Sequence, residues 1–293
     1  MIDTFLRSRD EFVLEVNGGT LTTDAGSFYG AVVRGLCPTM MRALRHCLNP
    51  ANPDLARATT YLQGVVGRLC DLLVAADELG RLAQIEGHMG GNNTVFDRQL
   101  YHLQNSVVLF SGCLDMLAWI VAVLQGEPLP DKRAISWSAV RRTGSDAWVN
   151  QLSSSEAKAL VMAARTLDQD RIDDAISLRD SYQHRLPMQG GIVEVNDQLG
   201  IVRTRIGAID WEATGLHPSD PASPGILETD GLQLLIPHSY QRGMISCLVG
   251  AIETVLAARE WPDDHWWKRG HPLTELDSDR VADKAVWLFG PLG

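Results

Sequence analysis

Residues 106–124, SVVLFSGCLDMLAWIVAVL, are the most apolar stretch of the chain and decide its fold class. The stretch is nearly long enough to span a bilayer, but Asp115 lies at its centre. A carboxylate at mid-membrane costs about 2.5–3.5 kcal/mol on insertion scales, so we expect no membrane partner. We interpret the stretch as a helix that is buried on most sides within a helical bundle. Asp115 then needs a polar partner, for which we expect an arginine of a neighbouring helix.

The sequence on the N-terminal side of this stretch continues the helical pattern. Apolar residues recur at three- and four-residue steps over about 55–86, which predicts a long amphipathic helix. The segment GHMGGNN (87–93) interrupts the pattern, and Thr94 followed by Asp97 resembles a capping box. We therefore expect a second long helix to begin at 94 and to end near 125, where a glycine and two prolines follow.

Further helices are predicted on both sides of this pair. Ser153 with Glu156 matches a capping box, so a helix begins there and continues, after a short break near 168, as far as Pro187. A first helix is expected to end near Asn49-Pro50, and a last helix precedes the tryptophan-rich tail. These helices span about 28–48, 153–186 and 239–259.

Two parts of the chain have β character instead. Short alternating runs around Asn17-Gly-Gly predict an N-terminal β arm. Alternating β-branched residues, followed by a proline-rich loop, predict a small β-rich insertion at about 190–230. The predicted fold class is mainly α: a helical bundle with this insertion and the arm. The predicted domains are an arm with the first helix (1–52), the bundle (53–260) and a C-terminal tail (261–293).

Composition excludes several classes of protein. The chain has 293 residues, of which 45% are apolar and 21% charged, so it is not a disordered chain. A net charge of −10 excludes a broad electrostatic grip on nucleic acid, although local binding is compatible with it. Five cysteines without a CxxC pair argue against a disulfide scaffold. The N-terminal sequence has no apolar signal region, and we predict a cytoplasmic protein.

One short motif carries the strongest chemical signal. In Arg179-Asp180-Ser-Tyr-Gln-His184, the aspartate and the histidine are four residues apart and share a helix face. A carboxylate so placed orients the imidazole and favours its protonated form, as does a helix C-terminus. Arg179 points about 140° away from His184 on an unbroken helix. Two copies of the motif that meet across a two-fold axis can bring both side chains to one phosphate.

The pattern of an arginine, a small polar residue, three further residues and a histidine resembles the signature of HEPN domains. The resemblance rests on Arg179, Asp180 and His184 in a chain whose main helices suit a bundle. HEPN domains are all-α bundles, often dimeric, and many are metal-independent ribonucleases. The resemblance therefore implies an endoribonuclease that acts as a homodimer, with RNA as its partner and a role of the toxin or phage-defence type.

The resemblance also implies a role for each residue of the motif. His184 takes a proton from the RNA 2′-hydroxyl or gives one to the leaving 5′-oxygen, which suits a group that titrates near neutral pH. Arg179 holds the charged phosphorane with a fork of donors that stays protonated. Asp180 orients His184. The product is a 2′,3′-cyclic phosphate, and neither a metal nor another cofactor is expected.

Weaker signals lie outside the motif. Arg141-Arg142 and the pair Arg203 and Arg205 are small basic clusters that either track an RNA backbone or form ordinary solvated faces. Residues 238–242, HSYQR, either line a site near the motif or supply Ser239 as an N-cap for the last helix. Cys37, His46 and Cys47 are close in sequence, but their spacing fits no standard zinc site.

A second class of function stays open at this point. A helical dimer without activity could act as an interaction module that docks another protein or holds a small ligand in the bundle. An enzyme needs Arg179 and His184 exposed at a shared cleft. A binding module leaves them apart or paired in ion pairs, and has an apolar groove or cavity instead.

Overall fold

A computed structural model gives the architecture of the chain. It describes residues 2–7, 11–16, 19–89, 93–126, 128–141, 148–167, 169–184, 190–192, 204–206, 226–229, 232–235 and 237–262. The chain divides into two compact units. Unit 1 comprises Met1–Cys70, Cys113–Leu167 and Val249–Pro291. Unit 2 comprises Asp71–Gly112, Asp168–Leu248 and Leu292–Gly293. The predicted division at 52 and 260 stays a prediction.

Helices dominate the described part of the chain, which confirms the mainly α prediction. They are α1 (Ala25–Leu36), α2 (Pro38–Leu48), α3 (Ala56–Met89), α4 (Asn93–Gln125), α5 (Trp137–Arg141), α6 (Ser155–Thr166), α7 (Gln169–His184) and α8 (Pro237–Ala257). Single 3₁₀ turns lie at Pro53–Leu55, Lys132–Ala134 and Trp148–Gln151.

Strands occupy other described segments. They are β1 (Ile2–Arg7), β2 (Glu11–Val16), β3 (Gly19–Asp24), β4 (Gly190–Ile192), β5 (Thr204–Ile206), β6 (Ile226–Thr229) and β7 (Leu232–Leu235). They pair antiparallel in the orders β1-β2-β3 and β4-β5-β7-β6.

The two long helices match their predicted bounds closely. Helix α4 ends at Gln125, directly before the glycine that predicts its C-terminus. Gly126 follows the last helical residue with a φ of +86°, a left-handed conformation that glycine adopts without a steric penalty. The predicted break near 168 is also present, because α6 ends at Thr166 and α7 begins at Gln169.

The predicted first helix, 28–48, is wrong in one respect, because the chain forms two helices there. Cys37 separates α1 from α2 with a φ of −126° and a ψ of 63°. The cause is Pro38, whose ring disfavours the helical conformation of the residue before it. Pro38 is then the first residue of α2, a position at which its missing N–H costs nothing.

The predicted capping box of α6 is displaced by one residue. Ser154, not Ser153, is the N-cap, and its Oγ accepts a hydrogen bond from the Ala157 N–H at 3.2 Å. Ser153 instead forms hydrogen bonds with Gln125, the last residue of α4. The Gln125 Oε1 accepts from the backbone N–H groups of Ser153 and Ser154, and its Nε2 donates to the Ser153 Oγ.

In unit 1, α3 packs closely against α4. The rings of Tyr61 and Trp119 stack with centroids 5.2 Å apart. One turn further along α3, the absence of a side chain at Gly64 makes room for Met116, since a Cβ there would lie 2.5 Å from the Met116 Sδ. This close approach explains a glycine in the middle of a long helix.

Asp115 has a partner of a different kind from the expected arginine. Its Oδ1 accepts a hydrogen bond from the backbone N–H of Trp137 at 2.9 Å, in the first turn of α5. The carboxylate thus accepts from a backbone N–H that has no acceptor within its own helix. It lies at a helix N-terminus, where negative charge is favourable. This contact attaches the short helix α5 to α4.

Unit 2 contains segments of α3, α4, α7 and α8. Gln241 of α8 is fully buried, and its Nε2 donates to the Ser106 Oγ of α4 and to the Leu72 carbonyl of α3. The Ser106 Oγ donates in turn to the His102 carbonyl at 2.7 Å. This buried polar contact fixes the register of α8 against the other two helices.

Among the described residues, one helix is long and apolar enough to span a membrane. It covers Asp97–Gln125, with a mean hydropathy of 2.3, and 56% of its most apolar window is buried. A core helix of a soluble protein passes the same test, so the expected absence of a membrane partner stays a prediction.

Candidate functional site

The motif lies at the C-terminal end of α7, which has a regular buried face. Ile172, Ala175 and Leu178 follow one another at three-residue steps and are each at most 2% exposed. This spacing keeps the three side chains on one side of the helix and anchors it in unit 2. Arg179 and Asp180 come directly after the last of these anchors and are half-buried.

Arg179 and Asp180 form an ion pair at the surface. The Arg179 Nε donates to the Asp180 Oδ1 at 2.8 Å, and its Nη2 donates to the same oxygen at 2.5 Å. The side chains are 26% and 49% exposed, so the pair is accessible to solvent. Both hydrogen bonds end on Oδ1, so they engage neither the Oδ2 of Asp180 nor the Nη1 of Arg179.

His184 is the last residue of α7. Its side chain lies outside the described part of the structure, as do residues 185–189. The backbone placement keeps the predicted four-residue spacing from Asp180 within a continuous helix. It also puts the histidine in the last turn, where the helix dipole favours a cation.

The structure describes the side chain of one of the four predicted RNA-binding arginines, Arg141. Arg141 is the last residue of α5 and belongs to unit 1, whereas the motif belongs to unit 2. Arg142 and Arg203 lie outside the described residues. Arg205 lies in β5, and its side chain is also outside them. The role of all four in RNA binding stays a prediction.

A small cavity opens beside the N-terminal half of α7. It is lined by Arg171, Asp174, Ala175, Tyr240, Gly243, Met244 and Cys247, and encloses about 350 Å³ counted out to its open mouth. All seven residues belong to unit 2, on α7 and α8. We call it the Tyr240 cavity.

The phenol of Tyr240 is buried in the wall of this cavity. Burial raises its pKa well above the usual range, and the nearby Asp174 and Cys247 raise it further. The hydroxyl is therefore neutral at physiological pH and able to donate a hydrogen bond.

One residue of the cavity lies in a segment that the sequence singles out. The segment 238–242 is predicted either to line a site or to supply Ser239 as an N-cap, and Tyr240 of that segment lines the cavity. The N-cap prediction is wrong, because α8 begins at Pro237 and Ser239 lies inside it. Asp174 and Arg171 carried no sequence signal. They join Tyr240 only because α7 and α8 pack together, and no spacing along the chain reveals that contact.

A metal centre gains no support from the described residues. No group of three histidine, cysteine or acidic side chains lies close enough there to hold an ion. Cys37 and Cys47 are buried, and burial raises the pKa of the Cys47 thiol to about 11, although Arg259 opposes the shift. Both cysteines are core residues.

Comparison with known proteins identifies no relative of the chain. No protein family, curated protein or solved structure matches the chain.

Proposed function

We propose that this chain is a metal-independent, HEPN-like endoribonuclease whose active site is built from Arg179, Asp180 and His184. The observation that carries the proposal is the solvent-accessible Arg179–Asp180 pair, which sits one turn before the helix end at His184. The six consecutive residues 179–184 combine a permanent cation, a carboxylate and a histidine, the side chain type that ordinarily titrates near neutral pH.

The chemistry is attack by the substrate's own 2′-hydroxyl. A base removes the O2′ proton while O2′ bonds to phosphorus, and the bond from phosphorus to O5′ breaks as an acid protonates O5′. The products are a 2′,3′-cyclic phosphate and a 5′-hydroxyl. His184 serves as the base or the acid, and Arg179 stabilises the charge that develops on the phosphoryl oxygens.

The ion pair sets the arrangement of these groups. Asp180 holds the guanidinium through one oxygen, Oδ1, and this leaves Nη1 to face a phosphate. The second oxygen of Asp180, Oδ2, is the natural acceptor for an imidazole four residues later.

We infer that the active unit is a homodimer. Arg179 and His184 diverge by about 140° around α7, so a single copy does not focus both on one phosphate. Two copies of α7 related by a two-fold axis bring the arginine of one copy to the histidine of the other. The proposed partners are therefore a second copy of the chain and RNA, and the proposed setting is the cytoplasm, in a toxin or phage-defence role.

We also infer that the strands complete the predicted architecture. Strands β1–β3 form the N-terminal β arm, and β4–β7 form the small β-rich insertion between α7 and α8. The antiparallel pairing orders of the two sheets support this arrangement.

The test is RNA cleavage in EDTA by the full-length protein, beside Arg179→Ala and His184→Ala. Arg98→Ala is the matched control, because Arg98 is an exposed arginine of unit 2 outside the motif. We expect cleavage of labelled tRNA or total RNA by wild type and Arg98→Ala, and a loss of about 100-fold or more in the two motif variants.

The alternative is a helical dimer without activity that serves as an interaction or ligand-binding module. The same ion pair favours it, because a pair that satisfies itself needs no substrate, and the Tyr240 cavity offers a place for a ligand. Folded, dimeric protein that cleaves neither RNA sample would overturn the ribonuclease proposal in favour of this module.

A further inference from the structure

The part of α3 and α4 that belongs to unit 2 has an exposed face with both apolar and charged side chains. On α4, Tyr101 is 64% exposed and Val108 is 37% exposed. These two residues are seven apart, so their side chains lie on one side of the helix. On α3, Asp71 and Arg81 are exposed. We call the surface formed by these four residues the Tyr101 face.

The four residues lie on the side of the helix pair that faces away from α8. Gln241 of α8 donates to the Leu72 carbonyl of α3 and to the Ser106 Oγ of α4, so α8 covers one side of both helices. At 100° per residue, each residue of the face points at least about 100° away from Leu72 or Ser106 on its own helix. The exposed sides of α3 and α4 therefore form one continuous surface.

The apolar part of this face distinguishes it from the rest of the described surface. Among the described residues, the other large apolar side chains that are exposed are Leu48 and Met162, and both belong to unit 1. Tyr101 and Val108 are thus an exposed aromatic ring and an exposed aliphatic side chain on the same side of one helix. Tyrosine is enriched at the centres of protein interfaces, where a few such side chains supply most of the affinity.

The packing of α3 against α4 sets the level of each residue along the helix pair. Leu72 lies level with Ser106, since one amide of α8 binds both. Glu78 lies near His102, whose pKa its charge raises against the larger effect of burial. These two contacts show that α3 and α4 are antiparallel and place position 76 of α3 level with about position 103 of α4.

The four residues of the Tyr101 face are arranged symmetrically about one point. Position 76 is the midpoint of Asp71 and Arg81, and the midpoint of Tyr101 and Val108 lies between positions 104 and 105. At about 1.5 Å per residue, the two midpoints are level to within about 3 Å. A two-fold axis through this point, perpendicular to the helices and parallel to the face, places Tyr101 opposite Val108 of a second copy and Arg81 opposite its Asp71. Each contact then occurs twice, as in any isologous interface.

The charges of the face suit this arrangement. The Arg81 Nε and Nη2 donate to the Glu78 Oε2 at 3.0 and 2.7 Å, and the Arg81 side chain is still 45% exposed. These bonds orient the guanidinium and leave its Nη1 for a further carboxylate. Asp71 is exposed and forms no ion pair with another described residue. Exposed ion pairs add little affinity but disfavour wrong registers, so we assign the affinity to Tyr101 and the register to the charges.

We propose that the Tyr101 face is a self-complementary docking surface for a second copy of this chain, with Tyr101 on Val108 and Arg81 on Asp71. The face is two helices wide, and residues 71–81 span about 15 Å, so the interface is small. Small interfaces associate weakly, and we expect a dissociation constant on the order of micromolar. The proposal does not rest on the ribonuclease motif, and the contact differs from the pairing of α7 inferred for the active site.

The test is sedimentation equilibrium of the full-length protein over about 1–100 μM, a range that brackets the expected dissociation constant. Tyr101→Glu is compared with Met162→Glu, the matched control, because Met162 is 60% exposed and belongs to unit 1. We expect Tyr101→Glu to weaken self-association by at least about 100-fold, since it removes a central aromatic contact twice per dimer, and Met162→Glu to associate as wild type does. Wild type that is monomeric over the whole range would overturn the proposal. So would folded Tyr101→Glu protein that associates as wild type does.

Charge-reversal variants test the register. In Asp71→Arg, and separately in Arg81→Glu, like charges oppose each other at both contacts, and we expect self-association to weaken by about 3- to 10-fold. A mixture of the two variants contains mixed dimers in which both contacts pair opposite charges. We expect tagged Arg81→Glu protein to capture untagged Asp71→Arg protein about as tightly as wild type associates with itself. Capture no tighter than the self-association of either variant would overturn the register.

The outcome is separable from that of the ribonuclease proposal. Self-association that Tyr101→Glu abolishes, in a protein that cleaves no RNA, would support the Tyr101 face and contradict the ribonuclease. RNA cleavage by a protein whose self-association is unchanged in Tyr101→Glu would support the ribonuclease and contradict the Tyr101 face.

Discussion

Arg179 donates both of its described hydrogen bonds to a single oxygen of its neighbour Asp180. The geometry holds the guanidinium in place while the second carboxylate oxygen takes no part in the pair. In the proposed active site, an arginine held in this way is oriented before a phosphate binds, which lowers the cost of ordering it during the reaction.

The first prediction concerns Asp180→Asn. The amide still accepts one hydrogen bond from Arg179, but the negative charge that favours a protonated His184 is lost. We expect RNA cleavage to slow by about 10- to 100-fold and the pH–rate profile to move to lower pH. The measurement is the cleavage rate across a pH series, with Asp173→Asn as the matched control. An unaltered rate and profile would show that Asp180 has no part in the reaction.

The second prediction concerns the proposed two-copy site. Neither Arg179→Ala nor His184→Ala is expected to cleave RNA alone, but a mixture that exchanges subunits contains dimers with one intact composite site. For equal amounts, we expect the mixture to recover about a quarter of the wild-type activity. Cleavage is measured before and after subunit exchange. No recovery in a mixture shown to contain mixed dimers would place both residues of a site in one copy.

The third prediction concerns the stability of unit 1. Glu253 of α8 accepts hydrogen bonds from the backbone N–H groups of Thr39 and Met40, both at 2.9 Å, and so caps the N-terminus of α2. In Glu253→Gln only one side-chain oxygen remains, and we expect the free energy of unfolding to fall by about 1–2 kcal/mol. Urea denaturation measures the change, and the exposed Glu260→Gln serves as the control. Equal stabilities of the two variants would contradict the capping role.

The fourth prediction concerns pH. Burial lowers the pKa of His102, and the nearby Arg81 and Arg98 lower it too, although Glu78 acts in the opposite direction. The folded chain therefore binds this proton more weakly than the unfolded chain, whose histidine titrates near about 6.5. The resulting stability is present above that pH and is lost as the pH falls through the lowered pKa.

Urea denaturation at about pH 7.5 and about pH 5.5 tests this linkage. We expect wild type to lose stability at the lower pH and His102→Gln to lose less. A wild-type difference that His102→Gln leaves unchanged would assign the pH dependence to other groups.

Periodicity in the sequence predicted the long helices well, because α3 and α4 bury continuous apolar faces and the local pattern follows directly from that burial. The end of α4 before Gly126 and the break before α7 could also be predicted from the sequence. The β-rich insertion and the N-terminal β arm stay predictions.

Two predictions are wrong because the observed hydrogen-bond partner is distant in the sequence. Gln125 binds Ser153 and so moves the N-cap of α6 to Ser154. Asp115 pairs with a backbone N–H at the start of α5 instead of an arginine. Pro38 is an exception, since its effect on Cys37 is local and could have been read directly.

The candidate site residues are of the same two kinds, some close together in the sequence and others joined only by packing. Arg179, Asp180 and His184 are close in sequence, so one pattern could identify them. The Tyr240 cavity joins residues of two helices that are far apart along the chain, and only the packing of unit 2 brings Asp174 to Tyr240. A pattern within six consecutive residues can be recognised in the sequence, whereas a cavity between two helices that are distant along the chain cannot.

The most direct test of the central claim is the chemical identity of the RNA ends that the wild-type protein produces in EDTA. Attack by the 2′-hydroxyl predicts 2′,3′-cyclic phosphate and 5′-hydroxyl ends, which should vanish together in His184→Ala. Ends of any other kind, or the same ends at an undiminished rate from folded His184→Ala protein, would contradict a metal-independent active site at this motif.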